Sequence, residues 1–476
     1  MSPLLSSTPL PYPSWLNPGD NAWQLTAATL VGLMSVPGLV VLYGGVMQKR
    51  WSVNSMMLAF TGFAAVLVVW VLYGFDMAFG HPWHGLSSSG FLGNFVGQPG
   101  AVLDHAKEQG PASIPNVDAA GGPPWHFPHS ALVYFQFVFA AITPLLMLGS
   151  VLGRINFKAW LLFVPLWISG VYVVNAFLIW GGGWWAHKGA LDFSGGYVIH
   201  LTAGVAGFVA AWVIGPRLAR DREIDAPNNL LMVATGAGFL WLGWNGFNGG
   251  DPYYAGADAA AAVLNTNLCT AVALLVWVIW DYLTGRKPSL IGSVNGMIVG
   301  LVAITPAAGF VNGFGAIAIG VIASSIVYVA YNYLSRLRPF RSVDDTLGVV
   351  YTHGFAGLAG GLLVGLFADS NMAVYLNRDG TPWFSGTGSL HLLGVQAYVG
   401  LWVICFTAAA TFVILKLVGL VIPLRMTEAE MEEGDIAVHG HEVYPADIPS
   451  LGFPGGAPGF IPVPAGGSPG EPTTSG

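Results

Sequence analysis

Charge is what this chain has least of. Lys, Arg, Asp and Glu make up 9% of its 476 residues, where a soluble domain usually carries about 25%. So few charges cannot cover a water-facing surface. Cysteine is almost absent too: Cys269 and Cys405 are the only two, and both sit inside apolar runs. That excludes a disulfide framework and a thiolate metal centre. The first 23 residues hold no Lys or Arg and several prolines, so they lack the charged start of a secretory leader. They read as a short extracytoplasmic tail. No nucleophile motif, metal-ligand spacing or phosphate loop is present, so neither an enzyme nor a cofactor is expected. The net charge of −7 comes from too few groups to indicate a partner, and no nucleic acid is expected.

Apolar sequence fills the space. Hydrophobic residues make up 54% of the chain and the mean hydropathy is +0.62. Gly (65) and Trp (18) are abundant; Gly lets membrane helices approach closely and Trp anchors at the interface. A spanning helix needs about 20 mostly apolar residues. Eleven segments qualify: 24–46, 53–76, 128–152, 159–183, 197–215, 228–248, 258–281, 289–308, 313–334, 346–368 and 395–423. The fold class expected is an all-α polytopic membrane protein with eleven transmembrane helices. Fourteen of the 17 Lys and Arg residues fall at span ends on one side, leaving only Lys107, Lys188 and Arg378 on the other. By the positive-inside rule the N-terminus is outside and the C-terminus in the cytoplasm. Loops 77–127 and 369–394 are then extracytoplasmic. The region 445–476, rich in Gly, Pro and Ser, is expected to be disordered.

The chain repeats itself. Span five contains His200-Leu-Thr-Ala-Gly-Val-Ala-Gly207 and span ten His353-Gly-Phe-Ala-Gly-Leu-Ala-Gly360, both H-x-x-A-G-x-A-G. Spans one and six share a weaker likeness, LVVLYGG against GWNGFNGG. An offset of five spans inverts the second half, so the helices form an inverted five-helix pseudo-repeat plus a final helix. The pseudo-twofold axis brings His200 and His353 together near the midplane. A neutral His lines a dry pore cheaply and can donate at one ring nitrogen while accepting at the other. Two in contact suit a proton wire or the orientation of a small polar solute; the plain alternative is a hydrogen-bonded core pair. No third ligand has the spacing for a metal site.

Five stretches, GDNAWQLTAATLVGLMSVPGLVVLYGGV, WGGGWWAHKGALDFSGG, GWNGFNGGDPY, KPSLIGSVNGMIVGLVAITPAAG and DDTLGVVYTHGFAG, resemble the Amt/Mep/Rh ammonium transporters from about Asn17 to Tyr444. The resemblance implies a transmembrane domain over 24–423, a cytoplasmic regulatory tail over 424–444, and a homotrimer in a cell membrane, the cytoplasmic one if bacterial. It implies that Trp180 lines an outer ammonium site, that Phe139 and Phe247 gate the pore beneath it, and that Trp244 and Gln136 support them. Asp192 matches an acid beside that site; it also precedes a helix and serves as a cap. Asp251 stands where many bacterial members have Ser, so it either binds the cation or caps span seven. Ammonium would be recruited outside and deprotonated, and ammonia would pass His200 and His353. An ammonium sensor acting through the tail and an Rh-like gas channel are the other readings. A PII-type regulator is an implied cytoplasmic partner.

Overall fold

The computed structural model describes residues 12–84, 91–223, 226–372, 374–376, 382–384 and 386–444. The region 445–476 and the first eleven residues lie outside them. Apart from a two-stranded hairpin, β1 (Val374–Leu376) with β2 (Pro382–Phe384), the described regular structure is helical. Ten helices are long and apolar enough to span: α1 Pro18–Val46, α2 Lys49–Phe79, α3 His129–Leu148, α4 Phe157–His187, α5 Gly196–Ile214, α6 Leu230–Gly250, α7 Ala257–Leu283, α9 Gly313–Arg336, α10 Val350–Phe367 and α11 Leu390–Gly419. They coincide with ten of the expected segments to within a few residues at most ends.

The remaining segment, expected over 289–308, forms the shorter α8, Leu290–Ile304. Fifteen residues rise about 22 Å, less than the roughly 30 Å hydrocarbon core. Pro306 stands just past its end, and the chain then runs as buried turns to Asn312. Those turns are not idle. The Thr305 and Pro306 carbonyls accept from the backbone N–H groups of Ser194 and Phe193, fastening the loop that enters α5. Irregular backbone is tolerated at membrane depth only where protein satisfies it, and here it does.

The repeat is visible as reciprocal contacts. A methyl on Gly204 would overlap the backbone of Gly354, and one on Gly357 would press on Leu201 N and the His200 side chain. Gly204 and Gly357 are 153 positions apart, as are Leu201 and Gly354 and the two histidines. The same spacing relates the neighbour of Gly207, Ser150, to that of Gly360, Ala303. Such exchange is what a local pseudo-twofold axis requires. Both helices begin in π-helical form, over Gly196–Leu201 and Val350–Phe355. A π turn widens the helix and is frequent at functional sites; each histidine lies in one.

Basic residues gather at one end of the bundle. Arg154 is fully buried and donates to Gly215 O, the Thr346 hydroxyl and Asp344 O. Arg217 pairs with Asp344 at 2.9 Å. The tail crosses this same end. Asn156 N donates to Leu424 O, Met426 N to Arg154 O, and Arg50 Nη1 to the carbonyls of Met431 and Glu432. The Asp435 carboxylate accepts from Val53 N and Asn54 N, both at 2.8 Å.

The crossing generates a stability prediction. Gly204→Val places a β-branched side chain where Gly354 leaves no room, and overpacking of this kind costs about 1–3 kcal/mol or more. The melting temperature of the purified protein should fall, while the same change at Gly394, whose surroundings are open, should leave it nearly unchanged.

Candidate functional site: a ring-lined path through the bundle

Aromatic rings form an unbroken column. Trp180 stands at the end of the continuous part of α4 (Val173–Ile179), its indole N–H held by Asp192 O at 2.7 Å. Its ring meets Phe139 edge-on at 6.3 Å. Phe139 stacks on Phe247 with centroids 4.2 Å apart, which leaves no gap between the faces. Phe247 lies 5.9 Å from His200, and His200 lies 5.6 Å from His353. The five groups come from α4, α3, α6, α5 and α10, so the column exists only in the assembled bundle.

A cavity opens at each end of this column. The first, about 240 Å³, is lined by Trp180, Asp192, Asp251, Phe310, Tyr253 and Trp125 among others. The second, about 310 Å³, reaches His353, Thr352, Trp244 and Tyr43 from the basic end. The stacked Phe pair and His200 separate them. Trp244 packs against Phe247 at 5.0 Å and lies flat on His200 at 5.3 Å, anchored through its indole N–H to Thr305 Oγ1 at 2.9 Å. Gln136 stands behind the first cavity and donates to the Tyr253 hydroxyl at 2.8 Å.

The polar groups along the path are few. His200 is fully buried, and neither ring nitrogen has a hydrogen-bond partner among the described residues. Its neighbour His353 has Thr352 Oγ1 at 3.0 Å from Nδ1. A buried, unpaired donor or acceptor costs about 1–3 kcal/mol, so the ring of His200 is free for a transient polar guest at that price.

Asp192 caps α5. Its Oδ2 accepts from Tyr197 N and Val198 N, whereas Oδ1 is buried without a partner. Burial, partly offset by these backbone bonds, pushes its carboxyl up to about 7. Burial also raises Asp251 well above the usual carboxylate range; Ser194 opposes the shift and Asp192 adds to it. Asp251 stands at the C-terminal end of α6 and lines the first cavity. Sequence reasoning missed the counterpart of Asp192. Asp345 lies 153 positions on, its Oδ2 accepts from Val350 N at the start of α10, and its Oδ1 is likewise buried and unpaired. The signal was present as D-x7-H before both histidines. Phe135, 4.7 Å from Phe139, Tyr253 and Trp125 were also missed. Among the described residues no cluster of three His, Cys, Asp or Glu could hold a metal ion.

A membrane-spanning helical bundle with a pseudo-twofold core, two end cavities and a column of rings between them is the architecture of a transport protein. The model of the Ammonium Transporter Family matches residues 22–444, and the chain belongs to that family. It is 48% identical over 443 residues to ammonium transporter 3 member 2 of Oryza sativa subsp. japonica, covering 90% of each chain. It is also 48% identical to ammonium transporter 2 of Arabidopsis thaliana, covering 91% of this chain and 89% of that one. Among solved structures, Saccharomyces cerevisiae Mep2 superposes with a TM-score of 0.74 at 29% identity, over 87% of this chain and 89% of its own.

Asp192 yields a double test. Asp192→Ala removes both cap bonds and should cost about 0.5–2 kcal/mol; Asp192→Asn keeps an acceptor and should cost less. The sign of the pH dependence follows from the raised pKa. The fold favours the protonated acid, so its stability contribution is present at low pH and lost as pH rises through about 7. Melting scans from about pH 5 to about pH 8 should therefore show Asp192→Asn gaining stability relative to the parent.

Proposed function

We propose that the chain conducts ammonium nitrogen across the membrane as ammonia. The observation that carries this reading is the column from Trp180 through the stacked Phe139–Phe247 pair to His200 and His353. Trp180, Asp192 and Asp251 form the outer receiving site. An indole face attracts a cation by roughly 0.5–2 kcal/mol, enough to recruit ammonium without trapping it, and an arriving cation favours ionisation of the nearby acids. The Phe pair then acts as the gate: its faces touch, so passage needs at least one ring to swing. A bare ion pays many kcal/mol to enter the dry segment below. Ammonium meets this barrier by leaving a proton behind; potassium has none to leave. Ammonia passes His200 and His353, whose neutral rings hydrogen-bond it and offer a bare cation poor coordination, and it is protonated again in the second cavity.

Orientation supports the direction of recruitment. The basic end carries Arg154, Arg217, Arg50 and Arg220, which supports a cytoplasmic position for it and for the docked tail. The Trp180 cavity then faces outward. Cys introduced at the exposed Glu108 should label from outside the cell and Cys at Arg220 only after permeabilisation. A homotrimer, and a cytoplasmic ligand of the PII type, are part of the same proposal on the strength of the resemblance. The tail contacts give regulation a physical route: truncation after Pro423 should lower transport, and truncation after Tyr444 should leave it unchanged.

Flux through reconstituted protein tests the core of the reading. His200→Asp and His353→Glu place an acceptor able to carry charge in the constriction and should admit potassium, which the parent excludes. His→Ala at either site should abolish ammonium-evoked current if the pair carries the proton. Parental selectivity and current in all four variants would reduce the pair to packing.

A further inference from the structure

The two halves of the repeat differ by one hydroxyl beside the histidines. The counterpart of Thr352, 153 positions earlier, is Ile199. An isoleucine side chain offers a ring nitrogen nothing, and His200 has no partner at either one. Thr352 Oγ1, by contrast, lies 3.0 Å from His353 Nδ1. Side chains adjacent in sequence do not face each other on an α-helix. The widened π-helical turn over Val350–Phe355 brings these two together.

The hydroxyl is itself held. Thr352 Oγ1 donates to Gly348 O, four residues back, at 3.1 Å. A threonine hydroxyl has a single proton and two lone pairs. With that proton on Gly348 O, Oγ1 can only accept, so the proton in the bond to His353 belongs to Nδ1. A neutral imidazole carries one N–H, and Nε2 then keeps its lone pair. The bond to Thr352 also commits Nδ1. The two rings stand 5.6 Å apart, tilted by 47°, and make no hydrogen bond to each other. His353 keeps 7% exposure and lines the second cavity, whereas His200 is fully buried.

We infer that Thr352 is a positioning residue for the His pair. Backed by Gly348 O, its hydroxyl fixes His353 in the Nδ1–H tautomer and leaves Nε2 as an acceptor for ammonia on the exit side. The partner of one ring nitrogen decides the state of the other, so the pair gains a polarity that the repeat alone lacks. The plain alternative is a threonine bonding only its own backbone, as threonines often do. That role predicts no change at the ring when the hydroxyl is removed.

Magic-angle-spinning NMR reads the tautomer directly, on the full chain with isotope-labelled histidine in lipid at neutral pH. Signals lost in His353→Gln assign the ring. The parent should show a protonated Nδ1 and a bare Nε2. Thr352→Val keeps the β-branched shape without the hydroxyl and should move the ring toward Nε2–H; Thr352→Ser should restore the parental pattern. In proteoliposomes the maximal rate of ammonium uptake by Thr352→Val should fall about 2- to 10-fold, the worth of one neutral hydrogen bond. Half-saturation should stay unchanged, because the first cavity is untouched, and Thr352→Ser should recover the rate. An Nε2–H ring in the parent overturns the inference, as does a Thr352→Val protein whose His353 signals and uptake match the parent's. The effect on flux rests on the transport reading; the tautomer does not. A parent with the Nδ1–H pattern, altered in Thr352→Val, that takes up no ammonium would sink the transport reading and leave the positioning role standing.

Discussion

The contact between α5 and α10 is the constraint on which the rest depends. Gly204 rests against Gly354, and Gly357 rests against Leu201. In lipid there is little hydrophobic force between helices, so association relies on close backbone packing by small residues. Here that packing also does chemistry by position. It brings two π-helical starts side by side, and each start carries one histidine. With larger residues at these glycines, His200 and His353 would be separated and the column of rings would end at His200. The Trp244 plate on His200, the Thr305 anchor and the short α8 all fit around this crossing.

Much of the fold was legible because membrane spans announce themselves by composition. Ten apolar runs became ten long helices, and the H-x-x-A-G-x-A-G repeat located the crossing. The length of α8 was not legible. Its apolar run continues through Thr305–Val311, and hydropathy registers how apolar a segment is without registering where its backbone hydrogen bonds go. Carbonyls at 305 and 306 bond the loop before α5 and not a following helical turn. The π-helical starts were hidden for the same reason.

The site was legible where family motifs carried it. Trp180, Phe139, Phe247 and both histidines fall on one column of rings, and Asp192 and Asp251 line the cavity at its end. Trp244 lies beside Phe247, and its second contact, the face of His200, is one that adjacency in sequence does not show. Asp345 could have been found from the repeat, since it precedes His353 by the interval that separates Asp192 from His200. Tyr253 and Trp125 had no such signal. One depends on a single unusual backbone angle and the other on how a long loop folds back, and neither has a period.

The inverted arrangement has a consequence for how the protein is made. His200 and His353 are separated by 153 positions. At roughly 5–20 residues per second of synthesis, α10 leaves the ribosome roughly 8–30 s after α5. During that interval the glycine face of α5 has no partner, and α8, which supplies the turns holding its N-terminal loop, is not yet complete either. The first half therefore waits in the bilayer with its closest packing surface uncovered, and the column of rings comes into being only when the chain is nearly finished.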